Sequence, residues 1–270
     1  MSSFLELLSI YKWSLPASVF AAGVLSLIGA QWTARGQSAQ IFVLSQGSSL
    51  GVVLGLALNI IFGTDLHALN LVLGFSLGWL TLLFSHRLTQ GRSDRNHIYL
   101  TLFVLFLALT YMLTSMTPAL ESHMAAAYFG DLAVMSDLAG QIVGVIALLA
   151  LAFILKNWKI LSLSSFQLSN SSLIHRQPKN TAFEMLTLLV TAAAVQNMGY
   201  LFTIGSLFIG TSFAAHSSRD LKSYTQRMLF ISVSGSLLGF VISLLSTNLP
   251  TVPCVILGQV VMGLMTYVKK

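Results

Sequence analysis

Long stretches without a single charged residue dominate this sequence and decide what it can fold into. A helix needs about 17 to 25 mostly apolar residues to cross the hydrocarbon core of a bilayer, and each stretch is long enough for that. The charge-free stretches cover residues 13–34, 36–64, 66–86, 96–120, 138–155, 185–218 and 228–268. Only 8% of the residues are charged, against roughly a quarter in an ordinary soluble domain. We therefore expect an all-α, polytopic membrane protein with one transmembrane domain over residues 1–270.

The two longest stretches each predict a pair of helices. Pro250 and Pro253 interrupt the last stretch, and proline ends one helix or begins the next. Gly199 and Gly205 lie near the centre of the stretch before it, close to the polar residue Asn197. Irregular backbone at membrane depth is tolerated only where protein or a water-filled cavity covers it. With one helix in each of the other five stretches, about nine helices are expected to cross the membrane.

Residues 1–12 are expected to form an interfacial segment at the membrane surface. A secretory signal peptide needs a positively charged region before its apolar segment, and Lys12 is the only base here. Tyr11 and Trp13 are aromatic residues of the kind that sit at headgroup level. We therefore expect this segment to be retained and not cleaved.

The basic residues predict which side of the membrane each loop faces. With the N-terminus outside and nine crossings, every base except Lys12 falls on the cytoplasmic side, together with the C-terminus. The cytoplasmic bases are Arg35, Arg87, Arg92, Arg95, Lys156, Lys159, Arg176, Lys179, Arg219, Lys222, Arg227, Lys269 and Lys270. The opposite side receives Asp65, Glu121, Asp131 and Asp137. The net charge of +6 thus reflects topology and predicts no nucleic-acid partner.

The phosphate-binding loop of ATPases and the zinc motif of metalloproteases are missing from the sequence. It contains no G-x-x-x-x-G-K-[ST] loop to cradle the phosphates of a nucleotide and no H-E-x-x-H zinc motif. Cys254 is the only cysteine, and the six histidines are scattered along the chain, so no resident metal or other cofactor is expected. The chain is not expected to be an enzyme, and any ATP must be hydrolysed by a partner.

The second charge-free stretch combines small and polar residues. Gly47, Gly51 and Gly55 recur every four residues, which predicts close backbone packing against another helix. The polar residues around this stripe are Gln40, Ser45, Gln46, Ser48 and Ser49. Inside a membrane such side chains either form hydrogen bonds between helices or line an aqueous path, and both interpretations are open. The candidate pathway-lining residues are Ser45, Gln46, Ser49 and Asn197.

The longest expected cytoplasmic segment, residues 157–181, mixes bases with Ser, Asn and Gln. Within it, residues 161–172 combine apolar and polar residues in a way that favours a short helix lying along the membrane. Such a helix can dock into a partner protein. A plain solvated loop explains the composition equally well.

Residues 128–138 read Tyr-Phe-Gly-Asp-Leu-Ala-Val-Met-Ser-Asp-Leu. This stretch resembles the Phe-Gly-Asp-Leu and Asp-Leu signature of the zinc and manganese permease family of ABC importers, and the similarity runs over almost the whole chain. The resemblance implies a permease in the bacterial cytoplasmic (inner) membrane, paired with a second copy or a paralogue. It further implies ATPase subunits beneath the pore and a periplasmic or surface substrate-binding protein above it.

The same resemblance implies that residues 161–172 form the coupling helix that transmits ATPase closure. The expected ATPase contacts are Phe166, Gln167 and Ser169. The sequence departs from the family here, because Gln167 and Leu168 replace its acidic residues.

A second departure concerns the metal. Family members present an Asp and, four residues later, a His to the ion, and the matching positions are Phe42 and Gln46. A phenyl ring cannot ligate a cation, and an amide carbonyl is a poor substitute for imidazole on zinc. Three explanations stay open: a partner permease supplies the ligands, transit needs no tight site, or the cargo is not a bare ion.

The expected function is therefore that of the permease subunit of an ABC importer, most simply for zinc or manganese. One alternative is a divergent importer for a metal chelate or a small organic solute, which Phe42 and Gln46 favour. The other is a membrane scaffold or sensor that transports nothing and needs no ATPase.

Overall fold

The computed structural model describes residues 11–64, 66–90, 95–120, 128, 130, 132, 135–169, 180–218, 220–246 and 249–268, without the side chains of 118, 164–169, 267 and 268. Over these residues the chain forms ten α-helices, one short 3₁₀ helix at Pro118–Leu120 and no strand. The helices are α1 (Ser14–Ala34), α2 (Ser38–Phe62), α3 (His67–Thr89), α4 (Arg95–Met116), α5 (Asp137–Lys156), α6 (Trp158–Ser169), α7 (Thr181–Met198), α8 (Tyr200–Ser217), α9 (Leu221–Leu245) and α10 (Thr251–Val268). The all-α, polytopic prediction is confirmed for this part of the chain.

Six of the described helices are long and apolar enough to cross a membrane: α1, α2, α3, α4, α5 and α9. The helix α10 contributes a shorter apolar stretch, Thr251–Thr266. The total of nine crossings and the sidedness of the termini stay predictions.

The bundle is built around α1 and α2. Within the most apolar part of each helix, 78% of α1 and 72% of α2 is buried, against 22% of α4. The large exposed side chains of α4 are apolar, among them Leu100, Val104 and Met112. Lipid accepts such a surface where water would not, so α4 faces the membrane and α2 lies in the protein interior.

The glycine stripe of α2 packs against α3, as predicted. A Cβ atom added at Gly51 would collide with the carbonyl oxygen of Leu73, and one at Gly47 would collide with the side chain of Thr81. At Gly55 the obstacle would be Asn70, at 2.6 Å from its Oδ1 atom. Only glycine permits this backbone approach.

The break between α7 and α8 falls at Gly199, inside the stretch where two helices were predicted. Gly199 has φ of 89°, a conformation that side chains disfavour. A second glycine, Gly130, has φ of 70°, and a Cβ there would collide with the carbonyl oxygen of Met198. The backbone N–H of Leu132 also donates to Thr251 Oγ1 at 3.0 Å. Gly130 therefore packs against the break between α7 and α8, and Leu132 is hydrogen-bonded to the start of α10.

The predicted break in the last stretch is also confirmed. The helix α9 ends at Leu245 and α10 begins at Thr251, immediately after Pro250. Pro253 lies in the first turn of α10, where a missing N–H costs little because the first four N–H groups of a helix have no partner inside it.

A short helix, α6, occupies the place where one was predicted, although it begins at Trp158 and ends at Ser169. Residues 170–179 of the predicted coupling segment lie outside the described residues. The same is true of residues 1–10 of the interfacial segment and of three of the four outer acids. Those three are Asp65, Glu121 and Asp131. The fourth, Asp137, forms an exposed ion pair with Lys12 at 3.7 Å.

Candidate functional site

One face of α2 carries the polar residues predicted to line a path. Phe42, Ser45, Gln46 and Ser49 are spaced by three and four residues, so they lie on the same side of the helix. Ser45, Gln46 and Ser49 have no exposed surface, and Phe42 is half-buried. Contacts from this face reach α4 and α8, on the side that the glycine stripe does not use.

Gln46 is the centre of these contacts. Its Nε2 atom donates to the hydroxyl oxygen of Tyr128 at 2.7 Å and lies 3.5 Å from Thr110 Oγ1 on α4. Its other polar atom, Oε1, is buried and has no hydrogen-bond partner among the described residues. The Nε2 atom of Gln46 thus has a hydrogen-bond partner in the protein, and the Oε1 atom can accept a hydrogen bond from a ligand or from water.

Aromatic rings cluster around Tyr128, the hydrogen-bond partner of Gln46. The ring of Tyr128 lies 5.6 Å from that of Tyr200 and 6.3 Å from that of Tyr111. On the neighbouring turn, Phe42 stacks in parallel on Phe208 of α8, with ring centroids 4.2 Å apart. We call this group the aromatic–amide site; its members are Phe42, Gln46, Tyr111, Tyr128, Tyr200 and Phe208.

Several buried oxygens on this side of the bundle make no hydrogen bond within the part of the chain that the structure describes. They are Ser45 Oγ, Gln46 Oε1, Ser49 Oγ and the hydroxyl of Tyr200. A buried polar group without a partner costs roughly 1–3 kcal/mol, so a run of such groups is unusual in a sealed core. Other buried oxygens, including Ser48 Oγ, Ser232 Oγ and Gln259 Oε1, also lack a described partner, so what distinguishes this face of α2 is their concentration on consecutive turns. Such a concentration fits a path that water or cargo enters.

The fourth predicted pathway residue, Asn197, is not brought to this group by any contact of the described side chains. It is half-buried near the end of α7, and its Nδ2 atom donates back to the carbonyl oxygen of Ala193 at 2.8 Å. It lies two residues before the break at Gly199. A role for Asn197 in the pathway stays a prediction.

The predicted ATPase contacts Phe166, Gln167 and Ser169 all lie in the last turns of α6. Their side chains are outside the described part of the structure, so the contacts themselves stay predictions.

The whole chain has a recognisable relationship to a known protein family. A model of the ABC 3 transport family matches residues 8–270. The chain belongs to this family. The match confirms the resemblance carried by residues 128–138, and it makes this ABC 3 chain a multi-pass membrane subunit of an ABC transporter that is not itself the catalytic component. No curated protein matches the sequence.

Two solved structures share the fold of the ABC 3 chain. One is PsaBC from Streptococcus pneumoniae in complex with Fab, with a TM-score of 0.78 and 20% sequence identity over 98% of this chain and 95% of that one. The other is a transporter described as metal-chelate type ABC, in an inward-facing conformation. It has a TM-score of 0.73 and 17% identity over 99% of this chain and 90% of that one. At these identities the likeness concerns the fold alone.

The described part of this ABC 3 chain is poor in metal ligands. Among the described residues there is no group of three or more His, Cys, Asp or Glu side chains that could hold an ion. The aromatic–amide site offers amide and hydroxyl oxygens, which suit hydrogen bonding better than zinc coordination.

The sequence Gly47-Ser48-Ser49-Leu50-Gly51 has the G-x-S-x-G spacing of hydrolase nucleophiles. In those enzymes the serine sits on a sharp turn between a strand and a helix. Here the whole pentapeptide lies inside α2, with its glycines packed on α3. It therefore belongs to helix packing and not to catalysis.

A second polar cluster lies where α1, α3 and α7 meet. The guanidinium of Arg35, which is 5% exposed, lies 4.6 Å from the centroid of the Phe183 ring. Glu184 is 3.7 Å from His86 Nε2, and Trp32 Nε1 donates to Thr187 Oγ1 at 3.1 Å. Burial lowers the pKa of Arg35, and the Glu184 carboxylate opposes that shift. The cluster ties the end of α1 to the beginning of α7.

Four members of the aromatic–amide site were missed by the sequence analysis: Tyr111, Tyr128, Tyr200 and Phe208. Each comes from a segment far from α2 in the chain, and an aromatic residue in an apolar stretch carries no signal of its own. Two of them had a usable clue, because Tyr128 begins the family-like stretch and Tyr200 follows the helix-breaking Gly199.

Proposed function

We propose that this chain is the permease subunit of a bacterial ABC importer in the cytoplasmic membrane, and that its cargo passes along the polar face of α2. The observation that carries the proposal is the set of buried, unpartnered oxygens on Ser45, Gln46 and Ser49. They lie inside a bundle whose outer surface is apolar. The permease alternates between outward-open and inward-open states.

Energy for this cycle comes from partner subunits, since the chain has no phosphate-binding loop. Separate ATPase subunits act on the cytoplasmic side through α6, with Phe166, Gln167 and Ser169 as their contacts. A substrate-binding protein delivers cargo on the other side, and a second permease copy or a paralogue completes the pore.

Family membership favours zinc or manganese as the cargo. Gln46 can offer such an ion only one neutral oxygen, and Phe42 offers none. For a bare ion, the remaining ligands come from the partner permease, or the ion moves without a tight site, since cargo that is bound too firmly cannot leave.

The aromatic–amide site favours a second candidate, a metal chelate or a small organic solute. Parallel stacking of Phe42 on Phe208 at 4.2 Å fills the position where a carboxylate would be needed for a cation. Aromatic faces bind apolar and planar groups, and the Gln46 amide can orient a neutral ligand through one hydrogen bond. A metal that travels with its own ligands needs no ligand from the protein.

An elemental profile distinguishes the two candidates. Cells that lack the gene are complemented with the wild-type chain and grown with limiting metal, either as the free ion or as a defined chelate. Restored zinc or manganese from the free ion supports the first candidate, and restoration from the chelate alone supports the second. No change with any metal source, in cells that make the protein, contradicts both metal candidates and leaves the organic solute or the scaffold.

The double variant Phe42→Asp with Gln46→His sharpens the result by restoring a carboxylate and an imidazole four residues apart. A gain of free-ion uptake identifies this face of α2 as the pathway wall. If uptake by a working importer does not change, the assignment of this face is wrong.

A further inference from the structure

An apolar groove of about 600 Å³ runs along the outside of the bundle, away from the aromatic–amide site. It lies between α1, α5, α6 and α9. On α1 its wall extends from Leu15 to Leu27, and on α9 from Thr225 to Leu237. Each wall covers about 18 Å at the 1.5 Å rise of a helix. The two walls are offset, because Leu15 lies at the start of α1 and Thr225 near the start of α9, and these helix ends are predicted on opposite sides of the membrane. Together they cover most of the roughly 30 Å hydrocarbon core, and the half beside Leu155 and Thr225 has the depth of one leaflet.

The two ends of the groove differ in character. Leu155 at the end of α5, Trp158 at the start of α6 and Thr225 in the first turns of α9 line the same groove. Tryptophan concentrates at the depth of lipid headgroups. The end marked by Trp158 therefore lies at an interface, which the orientation of the basic loops predicts to be that of the cytoplasmic leaflet. The other end, at Leu15, lies beside Trp13 and is expected at the opposite interface.

Three lysines lie at the end marked by Trp158. Lys156 and Lys159 flank Trp158, and Lys222 precedes Thr225 by three residues, on the same side of α9. All three are exposed. One acid, Asp220, lies nearby at the cap of α9, where its carboxylate accepts a hydrogen bond from the Ser223 N–H at 3.2 Å. It offsets only one of the three positive charges. The end of the groove thus presents positive charge to the membrane surface.

We infer that this groove binds one anionic phospholipid, with an acyl chain along α1 and α9 and its headgroup between Lys159 and Lys222. The cytoplasmic leaflet carries the anionic lipids, and basic residues at its surface attract them. A second copy of this chain is a poorer occupant, because it would have to cover the lysines with a surface of opposite charge. The inference does not depend on which cargo the importer carries.

Lipid retention by the full-length chain tests the site. The protein is placed in nanodiscs that contain phosphatidylglycerol and phosphatidylcholine with identical acyl chains, extracted in mild detergent and examined by native mass spectrometry. We expect one phosphatidylglycerol to stay bound per chain, in preference to phosphatidylcholine. The double variant Lys159→Gln with Lys222→Gln should lower this retention by roughly fivefold for each lysine removed.

Matched variants separate charge at the groove from charge in general. Arg87→Gln with Arg95→Gln removes two positive charges from the same predicted side, away from the groove, and should leave phosphatidylglycerol bound. Leu229→Trp fills the cytoplasmic half of the groove and should displace the lipid even though all three lysines are present. Size-exclusion profiles identical to that of the wild type show that each variant is folded.

Three outcomes would overturn the inference. The first is equal retention of the two lipids, and the second is the same loss of phosphatidylglycerol in both double variants. The third is a dimer that keeps no lipid and dissociates in Leu229→Trp, since that would identify a second copy of the chain as the occupant.

Discussion

The amide nitrogen of Gln46 lies 2.7 Å from the hydroxyl oxygen of Tyr128, a hydrogen bond between residues 82 positions apart in the chain. Gln46 is in the buried middle of α2. Tyr128 precedes Gly130, which packs against the break between α7 and α8. The bond therefore joins the polar face of α2, the wall of the proposed pathway, to the residues that pack against the break between α7 and α8. We expect it to stabilise the closed state of the pathway.

Replacing Tyr128 with Phe removes this hydrogen bond and retains the ring. A hydrogen bond of this kind contributes about 1 kcal/mol, so the open state should become roughly fivefold more populated. The change can be measured as faster modification of Ser45→Cys by a membrane-impermeant maleimide, in a background where Cys254→Ala removes the native thiol.

The control for that experiment is Tyr111→Phe. Tyr111 contacts the same ring of Tyr128, but its hydroxyl is not part of the bond to Gln46. The labelling rate should stay at the wild-type value. An equal increase in both variants would contradict a specific role for the Tyr128 hydroxyl.

Gln46→Leu should impair transport more than it impairs folding. The leucine removes the one hydrogen bond to Tyr128, worth about 1 kcal/mol, whereas the Oε1 atom it also removes has no described partner. We expect uptake to fall by at least tenfold while the amount of protein in the membrane stays within about twofold.

Gln40→Leu, on the same helix, provides the opposite case. The amide of Gln40 is fully buried and bonded at both atoms, to Ser85 Oγ and to the hydroxyl of Tyr99, each at 3.3 Å. Its loss removes two buried hydrogen bonds, each worth about 1 kcal/mol, so the amount of folded protein should drop. If the two variants behave alike, Gln46 has a structural role and not a transport role.

Gly51→Ala should destabilise the protein, because the new Cβ would collide with the backbone of α3 at Leu73. Overpacking of this kind typically costs about 1–3 kcal/mol. Gly144→Ala on α5 is the matched change, since a Cβ there meets nothing within 4 Å, and it should stabilise the helix slightly. Thermal midpoints in detergent should therefore move in opposite directions.

Arg35→Lys should lower the thermal midpoint even though the charge is retained. A planar guanidinium stacks on the Phe183 ring in a way that an ammonium group cannot reproduce, and such a contact contributes about 1 kcal/mol. Arg87→Lys, at an exposed position of α3, should change the midpoint very little. A similar loss in both would show that the stacking does not matter.

Much of the helical framework follows from charge alone. The first charge-free stretch ends at residue 34, and α1 ends at Ala34, because a charged side chain marks the point where a helix leaves the apolar region. The glycine spacing of α2 likewise predicts its packing, since small residues at every fourth position form a continuous flat face.

The residues of the candidate site can be predicted from the sequence only in part. The polar face of α2 can be identified from Ser45 and Gln46, because polar residues are rare and informative in an apolar stretch. The stacking of Phe42 on Phe208 cannot, since it joins residues 166 positions apart and depends on how α8 is oriented after the break at Gly199. Tertiary packing, and not local pattern, decides such contacts.

The two faces of α2 also determine how the protein can move. With glycines at 47, 51 and 55 pressed against α3, any sliding between these helices would bring Cα and carbonyl atoms into collision, so α2 and α3 travel as one rigid pair. The opposite face meets α8 through the stacked rings of Phe42 and Phe208, and it meets Tyr128 through one hydrogen bond from Gln46. These side-chain contacts can separate without breaking backbone contacts. During the conformational cycle, α2 is therefore expected to separate from these partners, while the packing between α2 and α3 is retained in every state.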